Sequence, residues 1–232
     1  MISLGLVFFY YWIILFSIIG YGYLFSKFFL LKSSENNYVG YVGFYGIFSL
    51  LLISYLSSFL VPHNLFFNSI IIGIGFLYFW TSKQKFFLSN NFKILIFVFS
   101  ILLITIYAAK NHDDFPYYHF PYTHLLTEYS VLIGIGNFNH GFRTHSSIFY
   151  LSSLFYLPFV KYFLIHLTPV FFLGFSNLIL YKKINYDGVT VIACTHIRER
   201  LSKIASVFIR LDHGRIVSVR SHKKTHKKTY KK

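Results

Sequence analysis

Four stretches of this chain are apolar on every helical face and almost free of charge: residues 3–25, 38–61, 65–80 and 92–109. Few folds accept such runs. A helix in water needs a polar side, whereas one that is apolar all round belongs in lipid or at the centre of a large protein. Each run is long enough to span about 30 Å of hydrocarbon, the third only just. Lipid offers no partners to backbone N–H and C=O groups, so helix is the expected state. A fifth run, residues 146–181, is too long for one crossing and is interrupted by Pro158. Residues 146–157 are expected to lie on or dip into the membrane surface. Residues 159–181 should form the fifth crossing, with Pro169 as a kink.

The charges orient these crossings. Charged residues make up 12% of the chain, about half the usual share of a soluble domain, and the mean hydropathy is +0.55. Lys27 and Lys32 fall in the first loop, Lys83, Lys85 and Lys93 around the third, and Lys182 and Lys183 after the last crossing. The second loop, Pro62-His63-Asn64, carries no charge, and loop 110–145 sets Lys110 and Arg143 against Asp113, Asp114 and Glu128. Lys and Arg stay preferentially on the cytoplasmic side. The expected fold is therefore an all-α polytopic membrane protein of about five transmembrane helices, N-terminus outside and C-terminus inside, with a small α/β cytoplasmic tail. No basic segment or A-x-A site follows Met1, so the first span is expected to be a retained anchor rather than a cleaved signal.

A net charge of +15 first suggests nucleic acid, but its distribution argues against that partner. Residues 185–232 hold twelve of the 22 Lys and Arg in a short stretch. A basic tail beside a membrane span fits anionic lipid on the cytoplasmic side. The single cysteine, Cys194, excludes an intramolecular disulfide and a cysteine-rich zinc cluster.

From Asn185 the composition shifts, which divides the chain into a membrane part at 1–184, a small folded piece at 185–220 and a basic, low-complexity end at 221–232. Val189–Ala193 reads as a buried strand. Glu199–Ile209 reads as a helix, with Leu201, Ile204, Ala205 and Phe208 at helical spacing. Leu211–Val217, around His213-Gly214, reads as a hairpin turn between two strands.

The segment richest in chemistry opens the 110–145 loop: Asn111-His112-Asp113-Asp114-Phe115-Pro116-Tyr117-Tyr118-His119-Phe120-Pro121-Tyr122. Pro121 suits the first turn of a helix reaching Glu128. Neighbouring carboxylates disfavour joint ionisation, so Asp113 and Asp114 could hold a proton, bind a divalent metal or face a basic partner. A solvated helix cap is the plain alternative. Five histidines share the loop, His112, His119, His124, His140 and His145. None shows the i, i+4 pairing of strong zinc motifs, so no histidine metal site is expected.

Together with Gly134-Ile135-Gly136-Asn137, Asn139-His140-Gly141-Phe142-Arg143 and Ser146-Ser147-Ile148-Phe149-Tyr150, this segment resembles the first large loop of bacterial polytopic proteins related to GT-C membrane glycosyltransferases. The resemblance covers residues 1–184. It implies a multi-pass protein of the bacterial inner membrane that takes a sugar from a polyprenyl-phosphate donor, working among membrane lipids. An acidic residue of the first outer loop would serve the transfer, which here means Asp113 or Asp114, with Asp114 preferred. Arg143 would meet the donor phosphate by bidentate contact. Proteins of that superfamily have about twice as many spans, so the chain reads as the front part of such an enzyme.

A second resemblance lies in the tail. Asp187–His196, followed by Arg210–Val217, is similar to the C-terminal portion of ABC-type ATPase domains, where His196 would be the switch histidine contacting a γ-phosphate. No G-x-x-x-x-G-K-[ST] occurs in the sequence, so ATP hydrolysis is not expected. The tail implies a different role, in which a non-catalytic membrane subunit or a chimeric fragment associates with an ABC transporter subunit.

Overall fold

The computed structural model describes residues 4–29, 38–82, 90–106, 113–130, 132–143, 146–185, 207–212 and 215–221. The apolar runs become helices α1 (Leu4–Phe28), α2 (Val39–Ser57), α3 (Leu65–Ser82) and α4 (Asn90–Leu102), the last continuing as a 3-10 turn over Leu103–Ile106. Two short helices follow, α5 (Phe120–Glu128) and α6 (Ser147–Ser153), and then α7 (Thr168–Asn185). Four helical segments are long and apolar enough to cross a membrane: Leu4–Phe28, Val39–Ser57, Leu65–Ser82 and Tyr162–Asn185. The fourth run of the sequence forms a shorter apolar helix, Phe92–Ile106.

α1 sits at the centre of the bundle and packs on both α2 and α3. α3 buries only Asn68, Ile72, Gly75 and Phe79, a single stripe at helical spacing. Its remaining faces expose Phe66, Ile70, Ile74, Leu77 and Trp80, a surface that only lipid would solvate at low cost. Glycine permits the tightest backbone contacts between helices, as two of them show. A Cβ on Gly20 would lie 1.9 Å from the Gly75 carbonyl oxygen, and one on Gly46 would lie 1.8 Å from that of Ile18. Small residues of this kind let helix backbones approach closely where apolar association alone gives no drive in lipid. Buried tyrosines tie the remaining contacts: the Tyr11 hydroxyl donates to the Phe99 carbonyl at 2.9 Å, Tyr21 to Ile71 at 2.9 Å and Tyr38 to Leu178 at 2.8 Å.

These contacts fix which helix ends lie together. Tyr11 of α1, Phe99 of α4 and Phe171 of α7 meet at one end. The C-terminal end of α2 joins them there through the Tyr55–Tyr150 ring contact, and the start of α3 through Asn68, which bonds the Ser153 carbonyl. The described residues between 113 and 167 cap that end. At the opposite end the Lys182 ammonium lies 5.3 Å from the Tyr38 ring centroid and 5.6 Å from that of Tyr41, where cation–π attraction adds to the helix-terminal charge. Lys27 and Lys183 also occupy helix ends on that side. Lys27, Lys182 and Lys183 thus lie at the end opposite Asp113 and Asp114, as the positive-inside reading requires, although the cap itself also carries Lys161 and Arg143. In a Cys194→Ser background, Asp113→Cys should react with an impermeant maleimide on intact cells, and Lys27→Cys only after permeabilisation. Equal labelling of both would rule out this orientation.

The connection from α6 to α7 departs from the expected surface helix. α6 has seven residues, and Phe149–Phe155 are all buried, so the segment is inserted into protein. The helix stops at Ser153, earlier than the expected residue 157, and i→i+3 turns carry the chain to Tyr156 ahead of Pro158. Val160 and Lys161 donate back to the Pro158 and Leu157 carbonyls at 2.8 and 2.7 Å, and Phe159 and Lys161 take positive φ. A 3-10 turn, Tyr162–Leu167, then leads into α7. Pro169 is not a mid-span kink: it falls in the first turn of α7, where its missing N–H has no intrahelical partner to lose.

The chain divides into two units, Met1–Val189 and Thr190–Lys232. In the second, β1 (Val207–Asp212) pairs antiparallel with β2 (Arg215–Ser221), closing from Asp212 opposite Arg215. The hairpin falls where the sequence places it. Val207, Phe208 and Ile209 are strand, however, where helical spacing suggested the end of a helix. β-branched and aromatic side chains favour the extended form once a partner strand is present. The expected strand at 189–193, His196 and the rest of the expected helix lie outside the described residues.

Candidate functional site

The cap is built around an aromatic cluster in which Tyr122, Leu126, Ile135, Phe142, Phe149 and Tyr150 are buried together. The Tyr122 and Tyr150 hydroxyls meet at 3.0 Å, and burial, followed by that hydrogen bond, raises the Tyr122 pKa. Asp113 is exposed and Asp114 half-buried at the entry to a π-helical turn, Phe115–His119, that runs into α5. Asp114 makes no side-chain capping bond. Its carboxylate lies beside the Tyr118 hydroxyl one turn on; desolvation and then the Asp114 charge and hydrogen bond raise the tyrosine's pKa. Asp114 is therefore partly committed to Tyr118, and Asp113 is the more open of the two.

Arg143 is exposed at the end of the 3-10 turn His140–Arg143. Its Nε donates to the Gly136 carbonyl at 3.2 Å. Guanidinium has five N–H donors, and the other four have no acceptor among the described residues. The segment before it packs on the π-helical turn: Asn139 Nδ2 donates to the Tyr117 carbonyl at 3.3 Å, and Gly141 abuts the Tyr118 ring. Asp114 and Arg143 thus sit on adjoining segments of one cap. No hydrogen bond or ion pair joins either carboxylate to Arg143 among the described residues. A shallow cavity of about 290 Å³ is lined by Leu132, Ile135, Phe142, Arg143 and the Gly134 and Gly136 backbone, with Asn137 at its side. Ile133 and Phe138 are each 89% exposed in this loop.

The loop histidines take separate roles. His119 packs against Tyr118 and Phe149, His124 Nδ1 bonds the Tyr162 hydroxyl at 2.7 Å, and His140 is exposed. His112 and His145 lie outside the described residues. Among the described residues no three His, Cys, Asp or Glu side chains converge on a metal-sized point. Of the sequence-predicted groups, Asp113 and Asp114 are the ones able to coordinate a divalent cation, and water or a phosphate would have to complete the shell.

A buried polar joint beneath the cap was not apparent in the sequence. His63, in the three-residue turn before α3, is fully buried and accepts or donates on both ring nitrogens: Nε2 lies 2.9 Å from Ser57 Oγ and Nδ1 2.5 Å from Ser153 Oγ. Ser153 Oγ donates onward to the Tyr150 carbonyl at 2.7 Å. That leaves Ser153 to accept from Nδ1–H and Nε2 to face the Ser57 hydroxyl, whose single proton also lies within reach of the Ser54 carbonyl at 3.2 Å. The tautomer follows from the network. The His63 amide also donates to the Leu126 carbonyl at 2.9 Å, while Asn68 Nδ2 donates to the carbonyls of His63, Ser153 and Tyr156 at 2.7–2.9 Å. Burial pulls the His63 pKa down to about 4, so the ring is neutral at ordinary pH. This joint holds α5 and α6 on the α2–α3 turn. It positions the cap and makes no opening to solvent, and the only local sign of it is a histidine in a very short uncharged turn.

A helical bundle with four apolar helices of membrane-spanning length, capped at the end away from Lys27, Lys182 and Lys183, defines a polytopic membrane protein. Residues 4–197 match the family described as Domain of unknown function (DUF8201), and the chain belongs to that family. The match runs past the division between Val189 and Thr190. No curated protein and no solved structure matches the chain.

Proposed function

We propose that the membrane unit is a GT-C-like glycosyltransferase domain of the bacterial inner membrane, oriented N-out and C-in with Phe92–Ile106 as a further crossing, that uses a polyprenyl-phosphate sugar donor. The observation carrying this reading is the cap, which gathers Asp113, Asp114 and Arg143 on adjoining segments at the end of the bundle opposite Lys27, Lys182 and Lys183. Arg143 has four guanidinium donors without an acceptor among the described residues, and Ile133 and Phe138 of the same loop expose apolar surface for an isoprenoid chain. Asp113 or Asp114 then acts as general base toward an acceptor hydroxyl, or orients a divalent metal on the donor phosphate. The test is sugar transfer from radiolabelled polyprenyl-phosphate-hexose in membranes carrying the full-length protein. Asp113→Asn and Asp114→Asn together should lower transfer at least about a hundredfold, on the scale of a lost general base. Arg143→Ala should weaken donor binding about tenfold or more, as expected for a charge-assisted phosphate contact. Unchanged transfer in the double variant would end this reading.

A second reading rests on the β1–β2 hairpin, which supports the ATPase-like resemblance of the tail. In that role residues 185–221 dock on an ABC transporter ATPase subunit, and His196 has no catalytic duty.

A further inference from the structure

We propose that a separate cleft, between the α2–α3 turn and the end of α5, binds the hexosyl headgroup of a membrane glycolipid. The cleft is a shallow, largely open depression of about 350 Å³ lined by Asn64, Leu65, Phe66, Thr127, Glu128 and Tyr156, at the lower end of the range for small-molecule sites. It does not share a residue with the Asp113, Asp114 and Arg143 region, and it stands whether or not the protein transfers sugar.

The argument is one of chemical complementarity. Tyr156 stacks on Tyr162 with ring centroids 4.3 Å apart and planes 16° from parallel, and no other ring covers it among the described residues. The pair is anchored from behind, because the Tyr162 hydroxyl is held by His124 Nδ1 at 2.7 Å and Thr127 Oγ1 at 3.1 Å. A rigid aromatic wall of this kind suits the C–H face of a pyranose ring. Glu128 is exposed, with Oε1 only 3.5 Å from the Tyr162 hydroxyl and Oε2 unpartnered among the described residues. Asn64 commits Oδ1 to the Phe67 amide at 3.0 Å, which leaves its Nδ2 protons without an acceptor there. The site therefore offers a strong acceptor and a fixed donor together. An anion would be repelled by Glu128, and a cation would leave the Asn64 donors unanswered. Hydroxyl groups, which both donate and accept, satisfy both. Phe66 in the lining is 77% exposed, which places the cleft at an apolar edge and favours a sugar carried on a lipid over one free in water.

The test uses the full chain in nanodiscs containing equal amounts of monoglucosyl-diacylglycerol, phosphatidylethanolamine and phosphatidylglycerol, with native mass spectrometry of the lipids retained after release. The wild type should retain one glucosyl lipid in preference to either phospholipid. Glu128→Gln and Tyr156→Leu should each reduce that preference about tenfold, the scale of one good polar contact or stacking platform. Arg143→Ala should leave it unchanged, which separates this site from the proposed donor contact. A thermal melt of each variant identifies any loss that comes from unfolding, and Glu128→Gln, at an exposed position, supplies the reading if Tyr156→Leu melts early. Competition by excess free glucose would assign recognition to the hexose alone; absence of competition would assign it to the lipid-borne sugar. No preference for the glucosyl lipid, a preference for phosphatidylethanolamine, or full retention in Glu128→Gln would each overturn the proposal.

Discussion

Gly20→Ala should unfold the bundle far more readily than alanine at Gly73, although both positions lie within long apolar helices. A methyl group at Gly20 would sit 1.9 Å from the Gly75 carbonyl oxygen and 3.0 Å from the Phe79 amide nitrogen, both rigid helix backbone. No rotamer relieves that clash, so α1 and α3 must separate and lose the contacts around Phe16, Phe79 and Ile72. Overpacking in a tight core costs about 1–3 kcal/mol and more where backbone must move; the upper end or beyond is expected here. At Gly73 an added Cβ meets nothing within 4 Å, and removing a helix-interior glycine should gain roughly 0.5–1 kcal/mol. Thermal melting of the two variants in the same detergent compares them directly. Equal melting points would mean that α1 and α3 do not cross at Gly20 and Gly75.

The second large effect is expected at His63, and it carries a pH signature. The folded-state pKa of about 4 lies below the ordinary value of 6.5. Above pH 6.5 the ring is neutral in both folded and unfolded chains and contributes no pH dependence. As pH falls from 6.5 toward 4, the unfolded chain takes up a proton that the folded one refuses, and stability declines. The full difference corresponds to roughly 3 kcal/mol, reached once the pH is near 4. His63→Gln should abolish that part of the slope. His63→Phe should lower stability by about 2–3 kcal/mol at neutral pH, because the Ser57 and Ser153 hydroxyls lose a buried partner. A wild-type melting curve unchanged between pH 7 and pH 4.5, with His63→Gln superimposed on it, would refute the buried neutral histidine.

The parts of this fold that could be read from sequence are those fixed by local physics. Charge-free apolar runs became α1, α2 and α3 within a few residues of their expected ends, because lipid leaves the backbone no other option. The lysine pattern anticipated which helix ends share a side, and Asp212-His213-Gly214-Arg215 anticipated the hairpin. Tertiary context decided the rest. Pro169 looks the same in sequence whether it kinks a helix or begins one. Val207–Ile209 carries a helical spacing that a neighbouring strand overrode. Ser147–Ser153 is apolar enough to rest on a membrane surface, yet it is inserted because α2 and α5 offer it a complementary pocket. At the candidate site, Asp113, Asp114 and Arg143 could be nominated by residue type, but the capture of Asp114 by Tyr118 depends on a π-helical turn. His63 was invisible for a related reason, since its partners Ser57 and Ser153 are separated by 96 positions of chain and meet only in the folded protein.

The packing of α2 against the late-made α7 also bears on biosynthesis. α2 presents Gly40 and Gly43 to Ile179 and Phe175 of α7, a partner synthesised more than a hundred residues later. A ribosome that has made α1, α2 and α3 has already delivered one paired set of helices to the bilayer, but α2 must wait with its small-residue groove unfilled. During that interval the groove is open to any passing hydrophobic segment. Assembly of this protein should therefore be most exposed to chaperone capture, or to mispairing with other nascent membrane chains, in the period before α7 emerges.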